Sequence, residues 1–353
     1  MRNFKEKYRS ERSSELAAAC SITASSISVV FYDTAMRRRY ARAVSAGLIA
    51  AKDAAEELER LFNDSTDVFG ISGSDIKQVG IAAPLSVDGH MEDNFSLANI
   101  GLSEKTELFY IPFISAGIGG CFTASLLTLP EGDCVMADFG RTFSIAELVN
   151  GEIKCASFSM NGAFDGSGLE SGIPAERGAI ETVRREKDGT LAYDVIGDGD
   201  SKGISPCAAA MSAVIMRKLG SLDEDGIMLD RDLFHIGEDF FISQADIRVI
   251  QSDKATAAAA LELFSENERK AFFSGEIFSS AAGFRTLLEL GTIPERFSKA
   301  AFCRDSAEQG IIRCIENPDE LQRARFIAQN ARDITEELAP KLDELYFEHL
   351  PFM

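Results

Sequence analysis

The chain has 353 residues, which is enough for about two domains of ordinary size. Hydrophobic residues make up 45% and charged residues 26%, a globular composition that excludes a disordered tail, a collagen-like fibre and a disulfide miniprotein. Acidic residues outnumber basic ones by 56 to 36, and a net charge of −20 argues against general nucleic-acid binding, which needs a basic face. Only the start of the chain is basic, and we expect a polar, solvated arm over 1–14.

Cysteine and histidine spacing argues against a metal centre. The seven cysteines lie far apart, and none has the CxxC spacing of a zinc or iron–sulfur site. We therefore predict buried, reduced thiols in a cytoplasmic protein and no iron–sulfur cluster. The opening residues also lack the apolar core of a signal peptide.

One stretch is long enough to be tested as a membrane span, because Leu108–Pro130 carries no charge over 23 positions. Pro112 and several glycines interrupt it, and its flanks are acidic. We therefore predict a buried strand at Leu108–Ile111 and a buried helix at Ser115–Leu127, with no membrane partner.

In chain order, the first elements are two β-rich runs within Leu16–Asp33, on either side of a hydroxyl-rich bend at Thr23–Ser26. This pattern is typical of a hairpin. Apolar residues over 48–62 recur at helical spacing and predict a helix. A short apolar run at Gln78–Ala83 predicts a buried strand.

The second half repeats this order of elements. A predicted strand at Cys134–Phe139 is followed by two strands around Asn150-Gly151, a strong hairpin signal. Further patterns predict a helix, a strand and a helix, at Asp246–Phe264, Ile277–Ala282 and Phe284–Leu290. The alternation implies an α/β fold, and the restart predicts two consecutive domains, 15–130 and 131–353, the second with a C-terminal extension.

Chemistry can be placed first at Asp138–Thr142, which joins the ends of two predicted strands. A carboxylate at a strand end can hold Mg²⁺ through water. Gly140 allows a close turn whose amides can face a phosphate, and Thr142 adds a hydroxyl. The same pattern also occurs in plain hairpin turns.

A glycine-dense segment, Asn161–Gly168, is the second candidate. Small residues beside a helix start can cradle an anion, and a flexible surface loop has the same composition, so both readings stay open. Neither a Ser-His-Asp order nor an HExxH motif supports a protease or esterase.

Taken together, these segments resemble the ASKHA-type ATPase domain of reductive activators of corrinoid proteins, the RACo-like family. The most specific likeness is GAFDGSGLESGIPAERGAI at Gly162–Ile180. The others are ADFGRT at Ala137–Thr142, the helix at Asp246–Ala258, AAGFR at Ala281–Arg285, and the C-terminal EELAPKLDELYFEHLPFM. The resemblance implies an actin-like ATPase fold with two ribonuclease-H-like domains around a nucleotide cleft.

The resemblance also implies a site. It assigns ATP with Mg²⁺ as the cofactor and Asp138 as the metal-side carboxylate. The nucleotide-binding residues that it implies are Asp138, Gly140, Thr142, Gly162, Gly166, Gly283, Thr23 and Ser25.

Departures from the family pattern concentrate in the first phosphate motif. Where the family has Asp-Ile-Gly-Thr-Thr-Thr, this chain has Ser21–Ser26, without the carboxylate and the glycine. Ala282 and Arg285 replace two glycines of the adenosine segment. We therefore expect weakened nucleotide binding and very slow ATP hydrolysis at best.

Two functions follow from the resemblance and its departures. The first is a nucleotide-dependent activator or accessory subunit for reductive reactivation of a corrinoid protein in a methyltransferase system. The second is a degenerate ASKHA scaffold that binds a partner without hydrolysing ATP. A sugar or acetate kinase has less support, because no separate substrate-phosphorylation motif is visible. The expected partners are a corrinoid protein or corrinoid methyltransferase and a separate electron donor, since no ferredoxin-like segment is recognised; a homodimer stays open.

Overall fold

The computed structural model describes residues 13, 15–47, 49–84, 95–197, 199–229, 232–264 and 270–352. The strands are β1 (Leu16–Ile22), β2 (Ser26–Asp33), β3 (Arg38–Ala46), β4 (Ile76–Ala82), β5 (Glu107–Tyr110), β6 (Cys134–Phe139), β7 (Thr142–Val149), β8 (Glu152–Ser159), β9 (Ala179–Arg185), β10 (Leu191–Val195), β11 (Gly203–Ile204), β12 (Leu233–Ile236), β13 (Phe240–Ser243), β14 (Lys270–Ser274), β15 (Ala301–Cys303) and β16 (Arg332–Asp333). The helices are α1 (Ala54–Phe69), α2 (Gly120–Leu126), α3 (Pro206–Leu219), α4 (Gln244–Phe264), α5 (Ala281–Glu289), α6 (Ser306–Glu316), α7 (Pro318–Asn330) and α8 (Thr335–His349). Apart from Ser13, the predicted arm 1–14 lies outside the described residues.

The chain divides into two compact units. The first consists of the described residues of Met1–Leu129 together with Ser306–Ala331, and the second of Pro130–Asp305 with Arg332–Met353. The sequence placed the two domains one after the other, at 15–130 and 131–353. In the structure the segment Ser306–Ala331 packs instead with the first unit.

The first unit is built on a five-stranded sheet in the order β3-β2-β1-β4-β5. Strands β1, β2 and β3 pair antiparallel, whereas β4 and β5 run parallel to β1. Helix α1 packs its apolar face against the sheet, with Leu58 and Phe62 fully buried beside Phe31. Gly70 ends this helix in the left-handed conformation, at φ 64°, which glycine adopts without strain.

The second unit repeats this topology in a six-stranded sheet, ordered β15-β14-β6-β7-β8-β16. Here β6, β7 and β8 form the antiparallel part, and β14 and β15 run parallel to β6. Asn150 and Gly151 both have positive φ, 51° and 83°, as the predicted hairpin turn requires. The α/β architecture with a twice-repeated strand order is therefore confirmed.

Small residues explain why α6 belongs to the first unit. A Cβ atom at Gly310 would lie 1.9 Å from the carbonyl oxygen of Ala124, and one at Gly80 would lie 2.5 Å from Ile311. Helix α6 thus approaches α2 and β4 more closely than any side chain would allow. This contact joins residues far apart in the sequence.

Two local predictions were wrong. The helix expected over Ser115–Leu127 begins only at Gly120, because Ser115 and Ile118 form a tight bridged turn before it. The strand expected at Ile277–Ala282 is a short 3₁₀ helix, Glu276–Ser279, followed by α5. The strand lies earlier, as β14, and Gly275 with φ 132° ends it. Among the described residues, no helix is long and apolar enough to cross a membrane.

Candidate functional site

The first hairpin, at the turn between β1 and β2, closes on its own hydroxyl groups. Thr23 Oγ1 accepts the backbone N–H groups of Ser25 at 3.3 Å and Ser26 at 3.0 Å. The Thr23 N–H itself donates to the Ser26 carbonyl at 2.8 Å. Of the residues predicted to bind a nucleotide, Thr23 and Ser25 are therefore engaged within this turn.

Ser21 stands where the resemblance implies a carboxylate, and it leads into a buried polar network. Its Oγ lies 2.9 Å from Ser28 Oγ, and Ser28 donates to the buried carboxylate of Glu308 on α6. Arg42 Nη2 lies 3.3 Å from the same carboxylate. Burial alone would raise the pKa of Glu308, but Arg42 and the Ser28 hydroxyl hold this pKa below its ordinary value. The network keeps a carboxylate and its arginine partner together behind the first hairpin, largely away from solvent.

The second hairpin, at the turn between β6 and β7, brings together the residues that the sequence predicts there. Asp138 lies near the carboxyl end of β6, a central strand of the sheet, and is half-buried. A Cβ at Gly140 would meet nothing closer than the Thr142 carbonyl at 3.5 Å, with Asp138 Oδ2 at 3.7 Å. The turn therefore leaves room above Gly140, with the Asp138 carboxylate beside this space and Thr142 following in the chain.

The glycine segment Asn161–Gly168 is anchored from below by Asp253, a fully buried residue of α4. Its carboxylate accepts the backbone N–H groups of Asn161 at 2.6 Å, Gly162 at 2.9 Å and Ala163 at 2.7 Å. Burial raises the pKa of Asp253, while these donors act in the opposite direction. The N–H groups at the start of the segment are thus already bound within the protein.

Two further predicted glycines are explained by chain packing. A Cβ at Gly166 would lie 2.7 Å from the carbonyl oxygen of Ile173, and one at Gly283 would lie 1.8 Å from that of Ile277. Both positions need glycine for close backbone contact whether or not a ligand binds.

The residue after Asp253 holds the C-terminal end of the second unit. Lys254 is 1% exposed, and its Nζ donates to the carbonyls of His349 and Pro351 at 2.5 and 2.8 Å. Its Nζ also lies 5.8 Å from the ring centre of buried Phe352. Burial lowers the pKa of Lys254 to about 8. One turn of α4 therefore anchors both the glycine segment and the end of the chain.

The fit of these residues to ATP and Mg²⁺ differs between the units. In the second unit, Asp138, Gly140 and Thr142 fit a phosphate with a metal held through water. In the first unit, the turn offers neither a carboxylate nor amides that lack an acceptor at Ser25 and Ser26. The described ranges contain no group of three or more His, Cys, Asp or Glu side chains placed to bind a metal directly.

The cysteines are single thiols without disulfide partners. Burial raises the pKa of Cys155, Cys207 and Cys314 to about 12, which keeps these thiols protonated and poorly nucleophilic.

A cavity of about 550 Å³ lies elsewhere in the second unit. Its lining includes Arg185, Met216, Leu233, Phe234 and His235, and none of the predicted site residues.

The sequence analysis missed three side chains that hold the two hairpins and the glycine segment in place, namely Arg141, Asp253 and Glu308. A signal existed for Asp253, because a charged Asp-Lys pair interrupts an Ala-rich helix whose other residues are largely apolar. The partners of Asp253 and Glu308 lie too far away in sequence for any local pattern to show them.

Comparison with known proteins decides the family. The family model described as the C-terminal domain of RACo, the ASKHA domain, matches residues 133–353. The chain belongs to this family. The resemblance seen in the sequence, and with it the ASKHA fold, is thereby confirmed.

Two individual proteins are similar to this chain, one in sequence and one in structure. The Eubacterium limosum protein "Corrinoid activation enzyme RamQ" is 26% identical, over 54% of this chain and 37% of that protein. The solved structure "Reductive activator for corrinoid,iron-sulfur protein" superposes with a TM-score of 0.82 at 16% identity, over 97% of this chain and 66% of that one. This ASKHA chain thus spans less than two thirds of each.

Proposed function

We propose that the chain is a nucleotide-dependent activator, or an accessory subunit of one, that restores the cobalt(I) state of a corrinoid protein in a methyltransferase system. The reaction is the transfer of one electron from a separate iron–sulfur donor to cobalt(II), which becomes cobalt(I). Membership of the RACo ASKHA family over 133–353 carries this proposal. The likeness to a corrinoid activation enzyme supports it.

A separate donor agrees with the thiol chemistry of the described residues. Their cysteines are dispersed and largely buried, and none belongs to a cluster of metal ligands. The proposed role of the chain is therefore to bind the corrinoid protein and change state with ATP and Mg²⁺. Asp138 would hold the metal through water, and Gly140 and Thr142 would face the phosphates.

The test is a reconstituted reduction assay. A cobalt(II) corrinoid protein is mixed with a dithionite-reduced ferredoxin, with and without the full chain and ATP, and cobalt(I) is followed by its visible absorption. We expect cobalt(I) to accumulate only when both the chain and ATP are present. Accumulation that is equal without the chain would contradict the function.

Asp138→Ala is the informative variant, and Asp343→Ala, an exposed carboxylate of α8, is its matched control. The first should abolish the effect of ATP, and the second should leave it unchanged. If Asp138→Ala retains the full effect, Asp138 is not the metal-side residue.

A second candidate, a scaffold that binds a partner without hydrolysing ATP, is favoured by the closed first hairpin. Loss of one transition-state contact typically slows an enzyme by about 10²–10³-fold. We expect steady-state ATP turnover of the isolated chain far below about 1 s⁻¹, the lower end of common values. Turnover at or above that rate would exclude the scaffold.

A further inference from the structure

Arg141 lies at the tip of the second hairpin and reaches across to the glycine segment. Its carbonyl accepts the N–H of Met160 at 2.9 Å, which fixes the tip beside the start of the segment. Its Nη1 donates to Ser167 Oγ at 3.0 Å and to the Asn161 carbonyl at 3.3 Å. One nitrogen of the guanidinium therefore joins the two loops.

The glycine segment is shaped so that the guanidinium can approach. A Cβ at Gly162 would lie 2.8 Å from Arg141 Nη1 and 2.6 Å from Ser167 Oγ. Gly162 has a φ of 94°, a conformation that favours glycine. The N–H of Gly168 donates to the Gly162 carbonyl at 3.0 Å and closes the segment. The Arg141 guanidinium thus occupies the space that a side chain at position 162 would need.

The rest of the guanidinium is available to a ligand. Within the described ranges Arg141 forms no ion pair, and its Nε and Nη2 have no hydrogen-bond partner. The Oγ1 atom of the neighbouring Thr142 also has no hydrogen-bond partner among the described residues. In a protein with a net charge of −20, an accessible guanidinium without a carboxylate partner is a ready anion site.

We propose that Arg141 and Thr142 bind a phosphoryl group of a nucleotide at the second hairpin, so that nucleotide binding does not require Mg²⁺. The planar fork of arginine matches two phosphate oxygens and supplies positive charge next to Asp138. Gly140 leaves the space, because a Cβ there would meet nothing closer than 3.5 Å. This inference rests on the proposed nucleotide dependence and specifies which charge carries it.

Calorimetric titration of the full chain with ADP, in EDTA and in Mg²⁺, tests the inference. The wild type should bind ADP with similar affinity in both, and more weakly as salt is raised. Arg141→Met should weaken binding in EDTA by about 10–100-fold, the size of a lost charge-assisted hydrogen bond. Arg141→Lys keeps the positive charge but not the planar guanidinium, so its affinity for ADP should lie between those of the wild type and Arg141→Met.

Arg185→Met is the matched control, because Arg185 is an exposed arginine of the same unit without an ion pair among the described residues. It should bind ADP like the wild type. Thermal unfolding of each variant separates lost binding from a lost fold.

Four results would overturn the inference. They are the absence of ADP binding under all conditions, ADP binding that appears only with Mg²⁺, unchanged binding by Arg141→Met, and a loss in that variant that is equal at low and high salt. If ADP binds in EDTA as expected but cobalt(I) never accumulates, the proposed function fails and the phosphoryl site stands.

Discussion

The two hairpins occupy equivalent positions in their two sheets but differ in the side chains that their turns carry. In the first sheet Ser21 pairs with Ser28, and in the second sheet Asp138 pairs with Ser144. This pairing makes Ser21 and Asp138 equivalent positions. Two residues later, Thr23 is then equivalent to Gly140. At the first turn a threonine hydroxyl binds the neighbouring amides. At the second turn the equivalent residue has no side chain.

The difference teaches that a hydroxyl at the first position of a hairpin turn can bind the turn's own amides, which glycine at that position cannot do. An amide that already donates to Thr23 must break that bond before it can bind a phosphate. A hydroxyl-rich motif therefore looks like a ligand site in the sequence and serves its own turn in the structure. Four changes can break or sharpen this comparison.

The largest effect is expected from Arg42→Met, which removes the cation beside the buried Glu308. We expect the free energy of unfolding to fall by about 3–5 kcal/mol, because a buried charge is left without its partner. Urea denaturation measures it. Since the pKa of Glu308 lies below its ordinary value of 4.5, the stabilisation is fully present above that pH and is lost as the pH falls through the folded value.

Arg37→Met is the control for this change. Arg37 lies in the turn between β2 and β3, and its ion pair with Glu316 at the end of α6 is exposed, so the effect of removing it should be much smaller. Equal losses in the two variants would mean that the network behind the first hairpin contributes no more than a surface pair.

Ser21→Asp introduces the carboxylate that the resemblance implies at this position, and we expect it to destabilise the protein. The new carboxylate would share a buried site with Ser28 and Glu308, and raising one pKa by two units costs about 3 kcal/mol. Adding Glu308→Gln should recover most of the loss in urea denaturation. A stable Ser21→Asp single variant would show that the first hairpin can accept a charge.

Asp253→Asn tests the anchor of the glycine segment and should cost about 2 kcal/mol, because one of the two oxygens that accept the three N–H groups becomes an NH₂ group that cannot accept them. Since burial raises the pKa of Asp253, the folded wild type binds the extra proton first. Its advantage over the variant should therefore shrink as the pH rises from 3.8 through the folded pKa, and stay constant above it. Asp343→Asn should show neither effect; a pH-independent difference would refute the assignment.

The smallest effect is expected from Thr23→Val, which keeps the shape of the side chain and removes the hydroxyl. We expect a loss of about 1 kcal/mol, the net contribution of an ordinary hydrogen bond. Ser26→Ala serves as the comparison, because it leaves Thr23 Oγ1 to accept both amides. Thermal unfolding should rank the two in that order, and the reverse order would show that Thr23 does not close the turn.

Local patterns predicted most of the fold. Alternation and the Asn150-Gly151 turn gave the strands around them, and Cys134–Phe139 has the predicted bounds. The strand assigned to Ile277–Ala282 failed because a short apolar run does not distinguish a strand from buried helical turns. Only the backbone at Gly275 shows where the real strand ends.

The site was predictable only where its residues are neighbours in sequence. Asp138, Gly140 and Thr142 form one motif, so their placement at one turn follows from a hairpin. Asp253 binds the amide of Gly162, 91 positions away, and Glu308 binds Ser28, 280 positions away. Such pairs depend on how helices close onto sheets, which no local spacing encodes.

The return of α6 to the first sheet sets the order in which the protein can mature on the ribosome. Translation at about 5–20 residues per second completes that sheet's strands many seconds before Ser306–Glu316 leaves the exit tunnel. Until then the face around Gly80 and Ser28 has no cover. The second unit likewise waits for β16, α8 and Phe352. The first unit therefore waits for α6 and the second for α8, and the uncovered sheet of the nascent chain is the surface that a chaperone would meet.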